Sequence, residues 1–300
     1  MDFTVILTSY KEPESIKKAI ENLVRPNLDL IAHGEMQLIV VAPDDETIAA
    51  AKEKLVEFTG FNDYLVLRDK AVGKPAAINY AIEKAKNPIL VLTDGDMHVS
   101  HNAIRDLIRY FEAPRVGGVS GHPVSLDSRN TQFGYYSHLF CEAAHQKRLL
   151  SDYVPMSGYL YAVRNIKALF PIPEEVRAED AYISAKILSA GYEIKYEPQA
   201  LAYVHFPKNL RDWFLQKKRS IGGNVQSARF TANSPQESRS IFQDLKNGLF
   251  PVKFAKTFKE MVYSLLLYPL RLYLWISIYV QHFLKGYSKG AWERIESSKQ

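Results

Sequence analysis

The sequence predicts an α/β fold in which a doubly wound, mostly parallel β-sheet carries helices on both faces. Short apolar, β-branched runs alternate with helix-like segments through the first 120 residues, a pattern typical of βαβ units. Hydrophobic residues make up 47% of the 300 residues, which is enough for a substantial core. Towards the C-terminus the composition becomes polar and then basic, aromatic and apolar, which predicts additional amphipathic and apolar helices.

The alternation assigns the elements in order. Predicted strands lie at residues 3–8, 37–42, 64–67, 89–93 and 116–121. Predicted helices separate them, at residues 13–24, 46–58, 75–85 and 102–111. The middle third is less regular, with helices at 133–149 and 178–190 and no linker of its own. We therefore expect one α/β domain over residues 1–235 and a C-terminal helical region over 236–300, with ligands at the carboxyl ends of the strands.

Charge and cysteine content restrict the function classes. The net charge is +5, and the basic residues crowd only from Lys208 onward, which favours a local anionic partner over general nucleic-acid binding. The single cysteine, Cys141, fits a reducing compartment. No basic leader precedes the first apolar run, so we expect no secretory signal and a cytoplasmic location.

The most informative segment is Asp94-Gly95-Asp96, two carboxylates separated by one glycine directly after a predicted strand. Gly95 permits a ligand to approach the backbone closely. The carboxylates can share a divalent cation and the ribose of a nucleotide. A solvated turn is the alternative, since Asp-Gly-Asp is also ordinary turn chemistry.

Polar residues also follow the first two predicted strands. Thr8, Tyr10 and Glu12 lie where hydroxyls and backbone amides could contact a nucleotide base, although N-capping of the first helix is the alternative. In the pair Asp44-Asp45, one carboxylate could accept a hydrogen bond from a uracil N–H while the other caps the next helix. This edge of the sheet is the predicted base site.

Charged residues mark two predicted helix starts. Gly73-Lys74 precedes a helix whose positive end, together with the lysine ammonium, could bind a diphosphate. Glu179-Asp180 opens a later helix. Its carboxylates could complement the helix dipole or take a proton from an acceptor hydroxyl.

A cationic segment follows near residue 216. Gln216 and Arg219 lie on a helical turn before two glycines, where Arg219 could contact phosphate oxygens or simply form a solvated basic face. His205 precedes this helix and could be a further metal or phosphate ligand, or a structural histidine.

In this order and at these spacings, the motifs resemble those of family 2 inverting glycosyltransferases of the GT-A fold, over residues 3–223. Asp94-Gly95-Asp96 matches the metal-binding Asp-X-Asp motif, Gly73-Lys74 the phosphate-side Gly-Lys, and Glu179-Asp180 the catalytic pair. Residues 216–219 match the Gln-X-X-Arg part of the Gln-X-X-Arg-Trp motif of cellulose- and hyaluronan-synthase-like members. Ser220 replaces the tryptophan, which argues against processive polymerisation.

The resemblance implies that residues 1–235 are a catalytic domain. Its expected donor is a UDP-sugar, and its acceptor is a hydroxyl group in glycan, polysaccharide or glycolipid synthesis. It implies Mg²⁺ or Mn²⁺ bound by Asp96, with Asp94 contacting the metal or the ribose. Lys74 and Arg219 would contact the diphosphate, and Asp180, assisted by Glu179, would be the general base.

The C-terminal region predicts a membrane-associated segment. Three phenylalanines repeat every four residues beside a lysine-rich face, the pattern of a basic amphipathic helix: Phe250, Phe254 and Phe258, with Lys253, Lys256 and Lys259. Residues 261–284 approach the length of a membrane span, but Pro269 and Arg271 interrupt them. We therefore expect an interfacial helix at the inner face of the cell membrane, near an acceptor that could be lipid-linked. The alternative is a helical hairpin that covers the domain or forms a homodimer.

Three other functions remain open on sequence grounds. A sugar-nucleotide pyrophosphorylase would need a glycine-rich signature after the first strand, where the chain has Thr8-Ser9-Tyr10-Lys11. A haloacid-dehalogenase-type phosphatase would carry its Asp-X-Asp on the first strand rather than the fourth. A non-catalytic scaffold is the third alternative.

Overall fold

The structure, a computed structural model, describes residues 1–150, 155–227, 230 and 248–285, without the side chains of 224, 225, 227 and 281–285. The predicted boundary near residue 235 lies outside these residues.

An eight-stranded sheet runs through the domain in the order β3-β2-β1-β4-β7-β6-β8-β5. Within the described chain, four strand pairs are parallel and three, β4–β7, β7–β6 and β8–β5, are antiparallel. The strands are β1 Phe3–Thr8, β2 Met36–Ala42, β3 Tyr64–Arg68, β4 Ile89–Asp94, β5 His98–Val99, β6 Val116–Ser125, β7 Leu160–Arg164 and β8 Glu193–Val204. The α/β class and all five predicted strands are confirmed, and β5, β7 and β8 are additional.

Helices cover both faces of this sheet. They are α1 Pro13–Val24, α2 Leu28–Ala32, α3 Asp45–Val56, α4 Lys74–Ile82, α5 Ala103–Ile108, α6 Gln132–Leu150, α7 Glu179–Ser189, α8 Leu210–Ser227, α9 Phe250–Phe254 and α10 Phe258–Lys285. Short 3₁₀ segments follow α1 and α5, at Arg25–Asn27 and Arg109–Glu112.

Strand alternation divides the core into two layers. On β1, Val5 and Leu7 pack with α1, α3 and α5, whereas Ile6 points to the opposite face and packs with α4 and α7. Successive side chains of a strand point to opposite faces, so a strand buried on both sides is apolar throughout. This accounts for the continuous apolar runs in the sequence.

Strand β7 determines where the site lies. It pairs antiparallel with β4, with Thr93 opposite Leu160. The segment that enters β7, Gly158 and Tyr159, therefore lies beside Asp94 at the end of β4. If β7 ran parallel to β4, the start of β7 would lie at the opposite end of β4, away from Asp94.

The C-terminal helices pack on the domain through α6 and α8. Leu267 joins Tyr135, Tyr136 and Trp213 in one apolar cluster. The hydroxyl of Tyr136 donates to the carbonyl of Tyr263 at 2.9 Å. In the described residues α10 is one helix of 28 residues that continues through Pro269, so the alternative of a helical hairpin is wrong at this proline, although the helix does pack on the domain as that alternative expected.

The predicted basic amphipathic helix at residues 250–259 is also wrong in part. Helix α9 ends at Phe254, Ala255 has an extended backbone, and α10 begins at Phe258. Phe250 and Phe254 pack against α6, while Phe258 is 86% exposed. The two faces that looked continuous in the sequence are separated because the chain turns between the helices.

Candidate functional site

The ends of β1 and β4 form the floor of the site. Thr8 and Asp94 are register partners at the carboxyl ends of these parallel strands. The hydroxyl of Thr8 donates to Oδ1 of Asp94 at 3.0 Å. This contact fixes one carboxylate of the Asp-Gly-Asp segment against the first strand.

The turn after β4 is pressed against β1. The amide of Gly95 donates to the carbonyl of Thr8 at 2.7 Å, and the amide of Met97 donates to the carbonyl of Asp94 at 3.1 Å. A Cβ atom at residue 95 would lie 2.5 Å from Oγ and 2.6 Å from Cβ of Ser9. Glycine is therefore required by close packing, and the Asp-Gly-Asp segment is a packed turn rather than a loosely solvated one.

Lys74 bridges two carboxylates. Its Nζ lies 2.9 Å from Oδ1 of Asp94 and 2.6 Å from Oε1 of Glu179. Burial alone would lower the pKa of the Lys74 ammonium, but the negative charges of Asp94 and Glu179 outweigh it and hold this pKa well above its usual 10.5. The structure therefore places Lys74 between the Asp-Gly-Asp turn and the first residue of α7.

Asp180 is held by backbone amides. Gly158 donates to its Oδ2 at 3.0 Å and Ala181 donates to its Oδ1 at 2.8 Å. A Cβ at residue 158 would lie 3.1 Å from Oδ2, so glycine lets the strand entry approach the carboxylate. The two amide donors hold this carboxylate in one orientation.

These charges affect the pKa values of two tyrosines, one in β7 and one just before it. Burial raises the pKa of Tyr161 well above its usual 10, with a further increase from the charge of Glu179. Its hydroxyl is buried and has no hydrogen-bond partner among the described residues. Burial also raises the pKa of Tyr159, on which Asp96 and Arg219 act with opposite signs. Asp96 and Arg219 are thus both within electrostatic range of Tyr159.

His205 follows β8 and is bound by a residue that the sequence did not single out. Its Nδ1 lies 2.8 Å from Oδ1 of Asp127, and the amide of Phe206 donates to Oδ2 of Asp127 at 2.9 Å. Asp127 lies in the loop after β6, outside every motif named above and 78 residues from His205. Neither motif nor spacing could have indicated it.

The predicted base side is built around the start of α3. Asp44 caps this helix, accepting from the Thr47 amide at 2.9 Å, and also accepts from the Lys11 amide at 2.8 Å. Asp45 is exposed and pairs with Arg68. Of the two carboxylates, Asp44 is therefore the helix cap.

Glu12 is buried near the same edge. Its carboxylate accepts from Ser9 at 3.0 Å and its amide donates to Thr47 at 2.9 Å. Tyr10 is 48% exposed. The expected capping of α1 by a hydroxyl at the end of β1 does not occur, because Glu12 occupies the cap position and makes no side-chain cap bond.

The cationic segment lies on α8. Gln216 carries a buried Oε1 with no hydrogen-bond partner in the described part of the chain. The Nζ of Lys217 lies over the rings of Phe140 and Phe206, at 4.0 and 4.7 Å from their centroids. Helix α8 is thus fixed to α6 and to the segment after β8. Burial raises the pKa of Tyr159, and the charge of Arg219 on this helix partly offsets that increase.

The donor set of the Asp-Gly-Asp turn suits a hard divalent cation. Asp94 and Asp96 offer carboxylate oxygens, the ligands that Mg²⁺ and Mn²⁺ prefer. No group of three His, Cys, Asp or Glu side chains within the described ranges is close enough to hold a metal. The residues therefore fit a cation that completes its coordination with phosphate oxygens of a bound nucleotide.

Comparison with known proteins establishes the class. Residues 4–169 match the model of Glycosyl transferase family 2, and residues 89–285 match that of Glycosyl transferase family group 2. Each match covers more than half of the chain, so the chain belongs to glycosyltransferase family 2. This confirms the resemblance and favours it over the pyrophosphorylase and phosphatase alternatives.

The chain is similar to bacterial polysaccharide synthases. It is 23% identical over 281 residues to a poly-beta-1,6-N-acetyl-D-glucosamine synthase of Staphylococcus aureus, which covers 90% of this chain and 64% of that protein. A Staphylococcus epidermidis synthase of the same name is 24% identical over 73% of this chain and 53% of its own length. The chain spans less than two thirds of the length of these curated relatives.

Solved structures share the fold. A mannosyltransferase from Pyrobaculum calidifontis, in complex with GDP-Man and Mn²⁺, has a TM-score of 0.66 at 20% identity, covering 95% of this chain and 88% of that chain. Glucosyl-3-phosphoglycerate synthase from Mycobacterium tuberculosis, with Mn²⁺, UDP and phosphoglyceric acid, has a TM-score of 0.53 at 17% identity, covering 79% and 80%. S. aureus TarS with UDP has a TM-score of 0.54 at 15% identity, covering 85% and 70%. These likenesses confirm the GT-A fold.

Proposed function

We propose that this protein transfers a sugar from a nucleotide-sugar donor, with a UDP-sugar as the expected donor, to a hydroxyl acceptor with inversion at the anomeric carbon. The observation that carries the proposal is the Lys74 bridge between Asp94 and Glu179, next to an Asp180 carboxylate held by amides. Donor-side and acceptor-side groups are thereby fixed in one site. Family membership supports the reaction class.

The base-binding edge is assigned to the ends of β1 and β2. Thr8, Tyr10 and Glu12 line the first strand end, and Asp44 and Asp45 the second. Because Asp44 is committed to the Thr47 and Lys11 amides, the exposed Asp45 is the carboxylate more available to a uracil N–H. On α8, Gln216 and Arg219 would contact the donor from the opposite side.

A divalent cation, Mg²⁺ or Mn²⁺, would be held by Asp96 and Asp94 together with the diphosphate, and His205 would join as a further ligand only in the nucleotide-bound state, because the described residues form no three-ligand cluster. It would neutralise charge on the diphosphate leaving group. Neighbour structures contain Mn²⁺, which supports the proposal. Asp94 accepts from Thr8 and lies against Lys74, so it is already fixed at this edge of the sheet.

The metal site makes a prediction about binding order. Since no three-ligand cluster is formed by the described residues, Mn²⁺ should bind weakly alone and tightly with UDP. Calorimetric titration of Mn²⁺ with and without UDP measures this, and Asp96→Ala should abolish the gain from UDP. If Asp96→Ala binds Mn²⁺ and UDP as tightly as the wild type, the assignment of Asp96 is wrong.

Asp180 would take the proton from the acceptor hydroxyl, and Glu179 would orient the acceptor or Asp180. The Asp180 carboxylate already accepts two amide hydrogen bonds, which hold it in place before the acceptor binds. A positioned general base contributes roughly 100- to 10,000-fold to rate. Loss of the base should lower kcat while leaving donor binding nearly unchanged, because the base acts on the acceptor.

We also propose that the protein works at the cytoplasmic face of a membrane, near a lipid-linked or membrane-bound acceptor. Helix α10 includes one segment, Phe258–Val280, that is long and apolar enough to cross a membrane. Only 22% of its most apolar part is buried in the protein. Three exposed lysines lie at its start: Lys253, Lys256 and Lys259. An apolar surface beside basic residues suits an anionic interface.

The test is release of nucleoside diphosphate from a panel of UDP-, GDP- and dTDP-sugars with Mn²⁺. Transfer or slow hydrolysis of one donor is expected, and Asp180→Asn should reduce transfer at least 100-fold with unchanged donor affinity by calorimetry. Glu174→Gln, an exposed carboxylate on the loop before α7, is the matched control. A folded wild type that binds and turns over no donor would support the scaffold alternative.

A further inference from the structure

Asp127 lies in the turn after β6, and each of its polar atoms makes a hydrogen-bond contact. Its side chain is 9% exposed. Oδ1 faces Nδ1 of His205 at 2.8 Å, and Oδ2 accepts from the Phe206 amide at 2.9 Å. Its own amide donates to Ser125 Oγ at 3.1 Å, and its carbonyl contacts Nε2 of His138 at 2.7 Å. The carboxylate therefore has one defined orientation.

That orientation determines the chemistry of the His205 ring. A carboxylate is an acceptor only, so Nδ1 of His205 carries a hydrogen and donates it. In the neutral ring the lone pair is then on Nε2. A carboxylate at one imidazole nitrogen is the usual arrangement for a histidine that binds a metal through the other nitrogen, because it fixes the tautomer and increases ligand basicity.

The sheet brings His205 towards the Asp-Gly-Asp turn. Strands β5 and β8 are antiparallel, with His98 opposite Tyr203. Continuing this register by one residue pairs Met97 with Val204, and these two side chains belong to one apolar cluster. Asp96 directly precedes Met97 and His205 directly follows Val204, so each lies one residue from this apolar contact.

We propose that Asp127 is a positioning residue for the nucleotide-dependent cation site. It holds His205 in the tautomer and ring orientation that direct Nε2 towards the cation bound at Asp96. The inference rests on the proposed function, since it assumes a cation at Asp96. It adds a residue that no sequence motif contains and gives the partly buried Asp127–His205 pair a chemical role beyond holding the loop.

Asp127→Asn is the informative variant. An asparagine can keep its oxygen on the Phe206 amide, but its NH₂ group then faces Nδ1 of His205 and favours the opposite tautomer, with hydrogen on Nε2. We expect the fold to be retained and the affinity for Mn²⁺ in the presence of UDP to fall about 10- to 100-fold. UDP binding without metal should be unchanged. Asp127→Glu, which keeps the carboxylate, should lose less affinity.

Glu197→Gln is the matched control. Glu197 is a buried carboxylate on the neighbouring strand β8, and it likewise accepts from a backbone amide, that of Gln199 at 2.8 Å. Its other partners are Arg109 and the hydroxyl of Tyr110, and none of these contacts involves the Asp-Gly-Asp turn. Its replacement should leave Mn²⁺ affinity unchanged even if it lowers stability.

A double-mutant cycle tests whether Asp127 acts through His205. In a His205→Ala background, Asp127→Asn should cause no further loss of Mn²⁺ affinity. ¹⁵N NMR of the imidazole should show hydrogen on Nδ1 in the wild type near pH 8. Hydrogen on Nε2 there, additive losses in the cycle, or unchanged Mn²⁺ affinity in folded Asp127→Asn would each overturn the inference. If the wild type shows no UDP-dependent Mn²⁺ binding, the proposed function fails first.

Discussion

At the scale of single residues, Lys74 has a different environment from the one that its motif indicates. The Gly-Lys pair predicted a contact with the donor diphosphate. The structure places the ammonium between Asp94 and Glu179, at 2.9 and 2.6 Å. A lysine in this position neutralises two carboxylates that would otherwise repel each other, so its first effect is on the geometry of the site. A diphosphate contact would require Lys74 to exchange one of these partners.

This environment predicts the effect of Lys74→Met. Removing one partner of a buried ion pair costs about 3–5 kcal/mol, and we expect roughly 2–4 kcal/mol here because Asp94 is 31% exposed. A group whose pKa is raised on folding contributes stability that is fully present below the unfolded pKa, about 10.5 here, and is lost as the pH rises through the higher folded-state pKa. The destabilisation should therefore be similar at neutral pH and at pH 10.

Urea unfolding of Lys74→Met and the wild type at pH 7 and pH 10 measures the destabilisation, which should be nearly equal at the two pH values because both lie below the unfolded pKa of lysine. Lys74→Arg, which keeps the charge, is the control and should lose less stability. Equal stability of Lys74→Met and the wild type at pH 7 would mean that the bridge contributes nothing.

The sequence predicted site residues that are contiguous in motifs. Asp94-Gly95-Asp96 and Glu179-Asp180 could be found because each pair of carboxylates lies within three residues at the end of a strand or the start of a helix. The Asp127–His205 contact joins residues 78 positions apart. Such a contact depends on strand order, and one sequence contains no signal for it.

At the scale of secondary-structure elements, the apolar runs predicted the five strands but not their arrangement. Periodicity reports that a strand is buried and gives no direction for it. Strand β7 was missed because its segment follows an irregular region, and its antiparallel pairing between β4 and β6 brings Gly158 to Asp180. The amide that holds the proposed base therefore comes from the least predictable part of the sheet.

The packing of the β4 turn on β1 predicts the effect of Gly95→Ala. A Cβ atom would lie 2.5 and 2.6 Å from the Ser9 side chain, so the turn must move. Overpacking of this kind typically costs about 1–3 kcal/mol. We expect a lower melting temperature and a larger loss of UDP-dependent Mn²⁺ binding than stability alone explains, because Asp94 and Asp96 flank the displaced residue.

Ser9→Gly provides the matched rescue. It removes both atoms that a Cβ at residue 95 would meet first, leaving the Ile16 Cδ1 atom at 3.1 Å, which can move by side-chain rotation. Because Ser9→Gly also removes the hydrogen bond to Glu12, the comparison is made within that background, where adding Gly95→Ala should cost less stability than it does in the wild type. If Gly95→Ala is as stable and binds Mn²⁺ and UDP as well as the wild type, the close packing of this turn is not required.

At the scale of the whole molecule, the described residues leave one face of a helix uncovered. Helix α10 packs on α6 and α8 through Leu267, Leu274 and Trp275. Its opposite side exposes large apolar residues, including Leu265, Leu272 and Ile276, each more than half exposed. The composition predicted an apolar helix, but only the packing shows which side faces the domain.

This face predicts how the protein binds membranes. Burying a leucine side chain contributes about 1.5 kcal/mol or more, so Leu265→Glu/Leu272→Glu should lower the partition into anionic liposomes at least about 100-fold, since 1.4 kcal/mol is tenfold. Co-sedimentation measures it. Val56→Glu, at a 71% exposed apolar position on α3, is the matched control and should sediment like the wild type. Equal sedimentation of all three proteins would refute the membrane role. If the wild type is instead a dimer by light scattering without lipid and only the α10 variant is monomeric, the face is a subunit interface.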